Sequence, residues 1–168
     1  MKKAKLIIDG KEIEIIIPQE QLDKLFPPKK KTGYERVDDE EHYYYIHHDG
    51  KIELALENGV YSDEVAYDNA NYYSDKTVAE NNARADRLMR QLRRFAVEHR
   101  EEEIDWRNSD QTRFYIYNSV KNGLTISGVN FIREFGAIYF DSRETAQLAI
   151  DAFKDELLWY FTEYKDSL

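Results

Sequence analysis

Three glycine-containing turn pairs punctuate this chain, and each separates two β-prone runs: Asp9-Gly10, Asp49-Gly50 and Asn122-Gly123. Asp, Asn and Gly tolerate the positive φ that a tight antiparallel turn demands, so each pair predicts a hairpin. The first joins Ala4–Ile8 to Glu12–Ile17, the second joins 42–48 to 51–57, and the third joins Thr112–Ser119 to Leu124–Ser127. On the return strand of the second hairpin, Ile52, Leu54 and Leu56 share one face and Lys51, Glu53 and Glu57 the other. That alternation predicts one dry face and one wet face.

Two stretches have helical period instead. From about Lys76 to His99, Val78, Ala85, Leu88, Leu92 and Phe95 recur at three and four, while Arg84, Arg87, Arg90 and Arg94 lie on or near the opposite side. Ser74 or Asp75 can cap this helix. Near the C-terminus, Ala146, Ala149, Ile150, Phe153, Leu157 and Tyr160 form the apolar stripe of a second helix over about 142–164, with Asp141 and Glu144 as its capping pair. A short strand is expected over Gly136–Phe140, whereas 58–73 has no regular period. Pro18 ends the first hairpin, Gln19–Phe26 can form a short helix, and Pro27-Pro28 with Lys29-Lys30-Lys31 makes the clearest linker.

The resulting expectation is an α+β fold, with short antiparallel hairpins forming one or two small sheets packed against two long amphipathic helices. Its parts are an N-terminal hairpin and short helix over 1–26, a hairpin and long helix over 33–100, and a hairpin, strand and C-terminal helix over 104–168. The last two are expected to pack as one compact unit. A weak internal echo joins them: setting Tyr73 against Phe140 aligns two strand ends, two polar caps and two helices with alanine, Ala79 and Ala146, at the first buried turn. Alanine there lets a helix approach a sheet closely.

The 168 residues suffice for a core without staples. Cysteine is absent, which excludes disulfide frameworks, thiolate metal sites and cysteine nucleophiles. No apolar run is long enough to span a membrane. The glycines form no phosphate-binding loop, and neither an HExxH pattern nor a nucleophile motif occurs. Four histidines, at 42, 47, 48 and 99, are the remaining metal candidates. His47 and His48, as neighbours on a strand, would face opposite sides and so not share an ion. The expectation is no catalytic residue, no metal and no cofactor.

Charge carries more information. The net charge is −9, but residues 38–70 alone carry −9 and residues 76–100 carry +4. Asp38, Asp39, Glu40 and Glu41 head the acidic block, and the β-prone Tyr43-Tyr44-Tyr45 follows them. Concentrated carboxylates steer and complement an arginine-rich partner, and tyrosine is favoured at interaction hot spots. Asp38, Asp39, Glu40, Glu41, Tyr43 and Tyr45 are therefore the candidate partner-binding residues. Three alternatives stand beside this reading, one of them an enzyme without a recognisable motif. The acidic block could fold onto Arg84, Arg87, Arg90 and Arg94 of the same molecule; or those four arginines could follow nucleic-acid phosphates.

The segments KKAKLIIDGKEIEI, KTGYERVDDEEHYYYIHHDG, NYYSDKTVAENNARADRLMRQLRRFAVEH and IYFDSRETAQLAIDAF resemble small proteins encoded by phages and prophages of Gram-positive bacteria. The resemblance implies a protein of the host-cell cytoplasm and a bacterial host protein as partner. Some small acidic proteins of such elements inhibit host defence, anti-CRISPR proteins among them, by occupying the nucleic-acid channel of a basic defence enzyme. It carries over no functional residue and implies no oligomeric state.

Overall fold

The computed structural model describes residues 2–8, 11–18, 20, 21, 24 and 30–166. The chain divides into two compact units, Met1–Thr32 and Gly33–Leu168. In the first, β1 (Lys2–Ile8) and β2 (Lys11–Ile17) pair antiparallel, with Ile8 opposite Lys11. The expected Asp9-Gly10 turn and most of the expected Gln19–Phe26 helix lie outside the described residues.

The second unit is α+β, with its sheets antiparallel. Strands β3 (His42–Ile46) and β4 (Ile52–Leu56) form a two-stranded sheet. Gly50 closes the turn between them at φ 83°, and the Asp49 carboxylate accepts the Lys51 N–H at 3.0 Å. The short helix α1 (Tyr61–Asp68) occupies part of the span expected to be irregular. It leads into α2 (Lys76–Glu98), whose N-cap Asp75 accepts the Val78 N–H at 3.0 Å. Strands β5 (Arg113–Ser119), β6 (Gly123–Val129) and β7 (Tyr139–Phe140) form the second sheet in the order β6-β5-β7. The expected strand from Gly136 shrinks to two residues, because only Tyr139 and Phe140 find partners on β5.

Helix α3 (Arg143–Thr162) closes the fold, kinked at Phe153, where φ is −121° and ψ 22°. Its cap is Ser142 and not the expected Asp141; the Ser142 hydroxyl oxygen accepts the Thr145 N–H at 3.0 Å. Asp141 is used differently, accepting the N–H groups of Glu101 and Glu102 at 2.7 and 3.3 Å and so tying down the chain beyond α2.

The internal echo has a structural counterpart. Tyr73 bridges antiparallel to Tyr44 on the first strand of one hairpin, and Phe140 pairs with Phe114 on the first strand of the other. Each segment runs straight into a capped helix, and Ala79 and Ala146, four residues past the caps, are both fully buried. Helix α2 joins the two halves. Its first turns pack Val78 and Ala79 with Tyr73, Tyr44, Ile46 and Ile52. Leu88, Leu92 and Ala96 pack with Phe140, Ala146, Ala149, Ile150 and Leu157.

The wet and dry faces of the second hairpin depart from expectation. Ile52 packs toward α2, but Leu54 and Leu56 on the same face are 54% and 39% exposed. The opposite face is not wet either: Glu57 is 3% exposed and Tyr43, on that face across from Ala55, also 3%. The reason is α1, which contributes the buried Asp63 to that side and was invisible to periodicity.

Candidate interaction surfaces

The acidic turn stands on a buried polar frame. Arg36 grips Glu57 with two parallel bonds, Nε to Oε2 and Nη2 to Oε1, each 3.0 Å, and its Nη1 reaches Glu64 at 2.9 Å. Glu57 also accepts the Tyr72 hydroxyl at 2.8 Å and the Gly59 N–H at 2.9 Å. These donors, the guanidinium first, hold its carboxyl down at about 2 against burial, which works the other way. The Tyr72 ring stacks on Tyr43 with centroids 3.9 Å apart, and the Tyr43 hydroxyl donates to Asp63 at 3.0 Å. Burial, then that carboxylate, pushes the Tyr43 phenol up to about 12. Asp63 itself is lowered, chiefly by the N–H of Asn58.

On this frame Asp38, Asp39, Glu40 and Glu41 form an exposed reversal. Glu40 takes φ 63°, its N–H donates to the Glu57 carbonyl at 2.9 Å, and the Glu41 N–H closes onto the Asp38 carbonyl at 3.0 Å. Among the described residues none of the four carboxylates has an ion-pair partner within 4.0 Å. Tyr43 does not share their surface: it is a buried stacking residue, covered by Tyr72 and by Asp63 of α1, which the period-two pattern could not reveal. Tyr45 is partly exposed and donates its hydroxyl to Glu53 at 2.6 Å.

The basic helix is not neutralised by the acidic block. Arg84 pairs with Glu156 of α3 at 2.8 and 2.9 Å and stacks over Trp159, 4.0 Å from the ring centroid. Arg94 reaches Glu98 of its own helix at 3.7 Å. Arg87 and Arg90 are exposed and form no ion pair among the described residues. Of the four candidate arginines, then, Arg84 braces α2 against α3 and three face solvent.

Two arrangements escaped the sequence. Arg113, at the start of β5, is completely buried and donates to the carbonyls of Gln111, Asn108 and Asn130, each at 2.7 Å, and to that of Asp105. It clamps the 105–111 loop to the end of β6 with no carboxylate in contact. Nearby, Arg93, Arg100 and Arg133 line one groove with Trp106. Only an arginine in a strand and a tryptophan in a loop could have hinted at either.

No group of three or more His, Asp or Glu side chains is placed to hold a metal ion among the described residues. His47 and His48 sit in the turn beyond β3 and not on opposite faces of a strand; their rings lie 3.8 Å apart, and His47 contacts Asp49 at 3.1 Å. No helix among the described residues is long and apolar enough to cross a membrane. No protein-family model matches the chain, and no curated protein or solved structure matches it.

Proposed function

We propose that this chain is a non-catalytic binding module that engages a basic partner protein through the acidic turn 38–41. The observation that carries the reading is the exposure of four adjacent unpaired carboxylates on a backbone whose shape is already set by the buried Arg36–Glu57–Tyr72–Tyr43 frame. A preorganised charged surface loses little entropy on binding and accelerates encounter with an oppositely charged one. Tyr45, partly exposed further along β3, supplies aromatic contact. The partner class that fits is a bacterial host protein with an arginine- and lysine-lined nucleic-acid channel, and the action is inhibition of a defence nuclease, as for phage-encoded anti-defence proteins. The test is affinity capture from a Gram-positive host lysate, comparing the native chain with a D38N/D39N/E40Q/E41Q variant. A basic, nucleic-acid-binding protein retained by the native chain and lost by the variant is the expected result. Equal retention by both removes the acidic turn from the interaction.

A second reading rests on Arg87, Arg90 and Arg94, three exposed arginines along one helix. Such a row follows phosphates and gives binding that falls steeply with salt. Absence of DNA or RNA binding at low salt eliminates it.

A further inference from the structure

The groove beyond the C-terminal half of α2 differs in chemistry from both surfaces above. It has a volume of about 300 Å³, at the low end of the roughly 300–1,000 Å³ usual for small-ligand sites. Its basic members come from three separate segments: Arg93 on α2, Arg100 just past that helix, and Arg133 from the loop between β6 and β7. Its apolar members are Val97, 59% exposed, Ile104 and the indole of Trp106, 37% exposed.

Two of the three charges lining this groove have no ion-pair partner among the described residues. Arg93 and Arg133 make no ion pair among the described residues, and Arg133 is held only by the Trp106 ring, its guanidinium carbon 4.8 Å from the centroid. Arg100 touches Glu103 at 3.0 Å through an exposed contact, which is worth little and is easily exchanged. No acidic side chain lines the groove: Glu98 pairs with Arg94 and Asp141 takes the N–H groups of Glu101 and Glu102, while Glu101, Glu102 and Glu134 are neighbours in the chain that stay outside the lining. The indole is fixed from below, with the buried Arg113 guanidinium 4.9 Å from its centroid and Tyr139 edge-on at 4.8 Å. Guanidiniums lining one groove repel one another, and an anion received between them relieves that repulsion.

We propose that this groove binds a nucleoside phosphate, the phosphate on Arg93 and Arg133 and the base against Trp106 and Val97. Arginine forks match phosphate oxygens, and the indole becomes a stacking face for a base as Arg133, which rests on it in the free protein, turns to the phosphate. The ligand is either a free nucleotide or one nucleotide of a single strand, since both present the same two groups. Titration of the full chain with ATP, oligothymidylate, inorganic pyrophosphate and polyglutamate, followed by tryptophan fluorescence and calorimetry, tests this. ATP or oligothymidylate is expected to change the Trp106 emission and bind, the stronger of the two identifying the source. An R93E/R133E variant, altered only at exposed side chains, is expected to lose about tenfold or more in affinity, while the charge-matched K121E/K154E, outside both arginine surfaces, stays within about twofold. Four results overturn the proposal: no binding of either nucleotide ligand, unchanged binding in R93E/R133E, pyrophosphate binding as tight as ATP, or polyglutamate binding as tight as both. Because the acidic turn is untouched in these variants, failure here leaves the partner-protein reading standing.

Discussion

Glu57→Gln isolates the frame beneath the acidic turn with the smallest change of shape. The native carboxylate takes four bonds, two from Arg36 and one each from Tyr72 and Gly59. Glutamine keeps one accepting oxygen and turns the other into a donor that faces one guanidinium N–H together with either the Gly59 N–H or the Tyr72 hydroxyl. The substitution removes a charge-assisted fork and leaves Arg36 partly unpaired, although Glu64 at 2.8 Å cushions it. Glu57 is buried but Arg36 is exposed, so the loss is that of hydrogen bonds to a charged group, roughly 1.5–3 kcal/mol, and about 2 kcal/mol is expected. For a unit of this size that corresponds to a fall of about 7 °C in Tm.

The pH dependence supplies a sharper check. Folding lowers the Glu57 carboxyl from an ordinary 4.5 to about 2, so the unfolded chain binds the proton more readily. The stability it contributes is complete above pH 4.5 and disappears as the pH falls toward 2. Urea unfolding of the native chain and E57Q, compared from pH 7 to pH 2.5, should therefore give a gap that is constant down to the ordinary carboxylate range and then narrows. A gap of under about 0.5 kcal/mol at pH 7, the scatter of an ordinary surface substitution, would refute the frame argument. So would a gap that is large but does not narrow in acid, since the loss would then be steric.

Three further substitutions probe other parts of the fold. Gly33 has φ +93°, and a Cβ there would lie 2.6 Å from Val78 Cγ2 in the first turn of α2, so Gly33→Ala is expected to cost about 3 kcal/mol in urea unfolding. Gly59→Ala is its control, with positive φ but open space around the added carbon, and about 1 kcal/mol is expected. Arg113→Lys replaces a fork serving four carbonyls with a point donor; amide exchange is expected to accelerate through 105–111 and Trp106 emission to shift, with α2 amides unchanged. Unaltered exchange in that loop would mean the clamp is not what orders it.

The parts that could be read from the sequence are those with a repeating physical cause. Helix α2 begins at Lys76, as its cap and its three-four spacing imply, and the alignment of Tyr73 with Phe140 corresponds to two equivalent pairings, onto Tyr44 and Phe114. Helix α1 has no such signal: YSDEVAYD carries no apolar stripe, only Asp63 is buried, and the carboxylate at its first turn accepts the N–H groups of Asn58 and Val60. A helix held by polar caps is silent to a hydrophobic period, and with it the burial of Tyr43 was hidden too. Functional groups suffer the same loss more severely. Arg36 meets Glu57 across 21 residues, and Arg93 meets Arg133 across 40, through loops whose course no local rule dictates.

That difference bears on which surfaces are adapted for binding. Periodic positions are accounted for by the core: Arg84, on the expected basic face, braces α3. What remains unexplained by folding are charges that stay unpaired among the described residues despite partners of opposite sign elsewhere in the chain, the carboxylates of 38–41 and the guanidiniums of Arg87, Arg90, Arg93 and Arg133. Pairing between them would have lowered the energy of the isolated molecule, and the proposed binding roles of the acidic turn and of the Arg93–Arg133 groove rest on that separation.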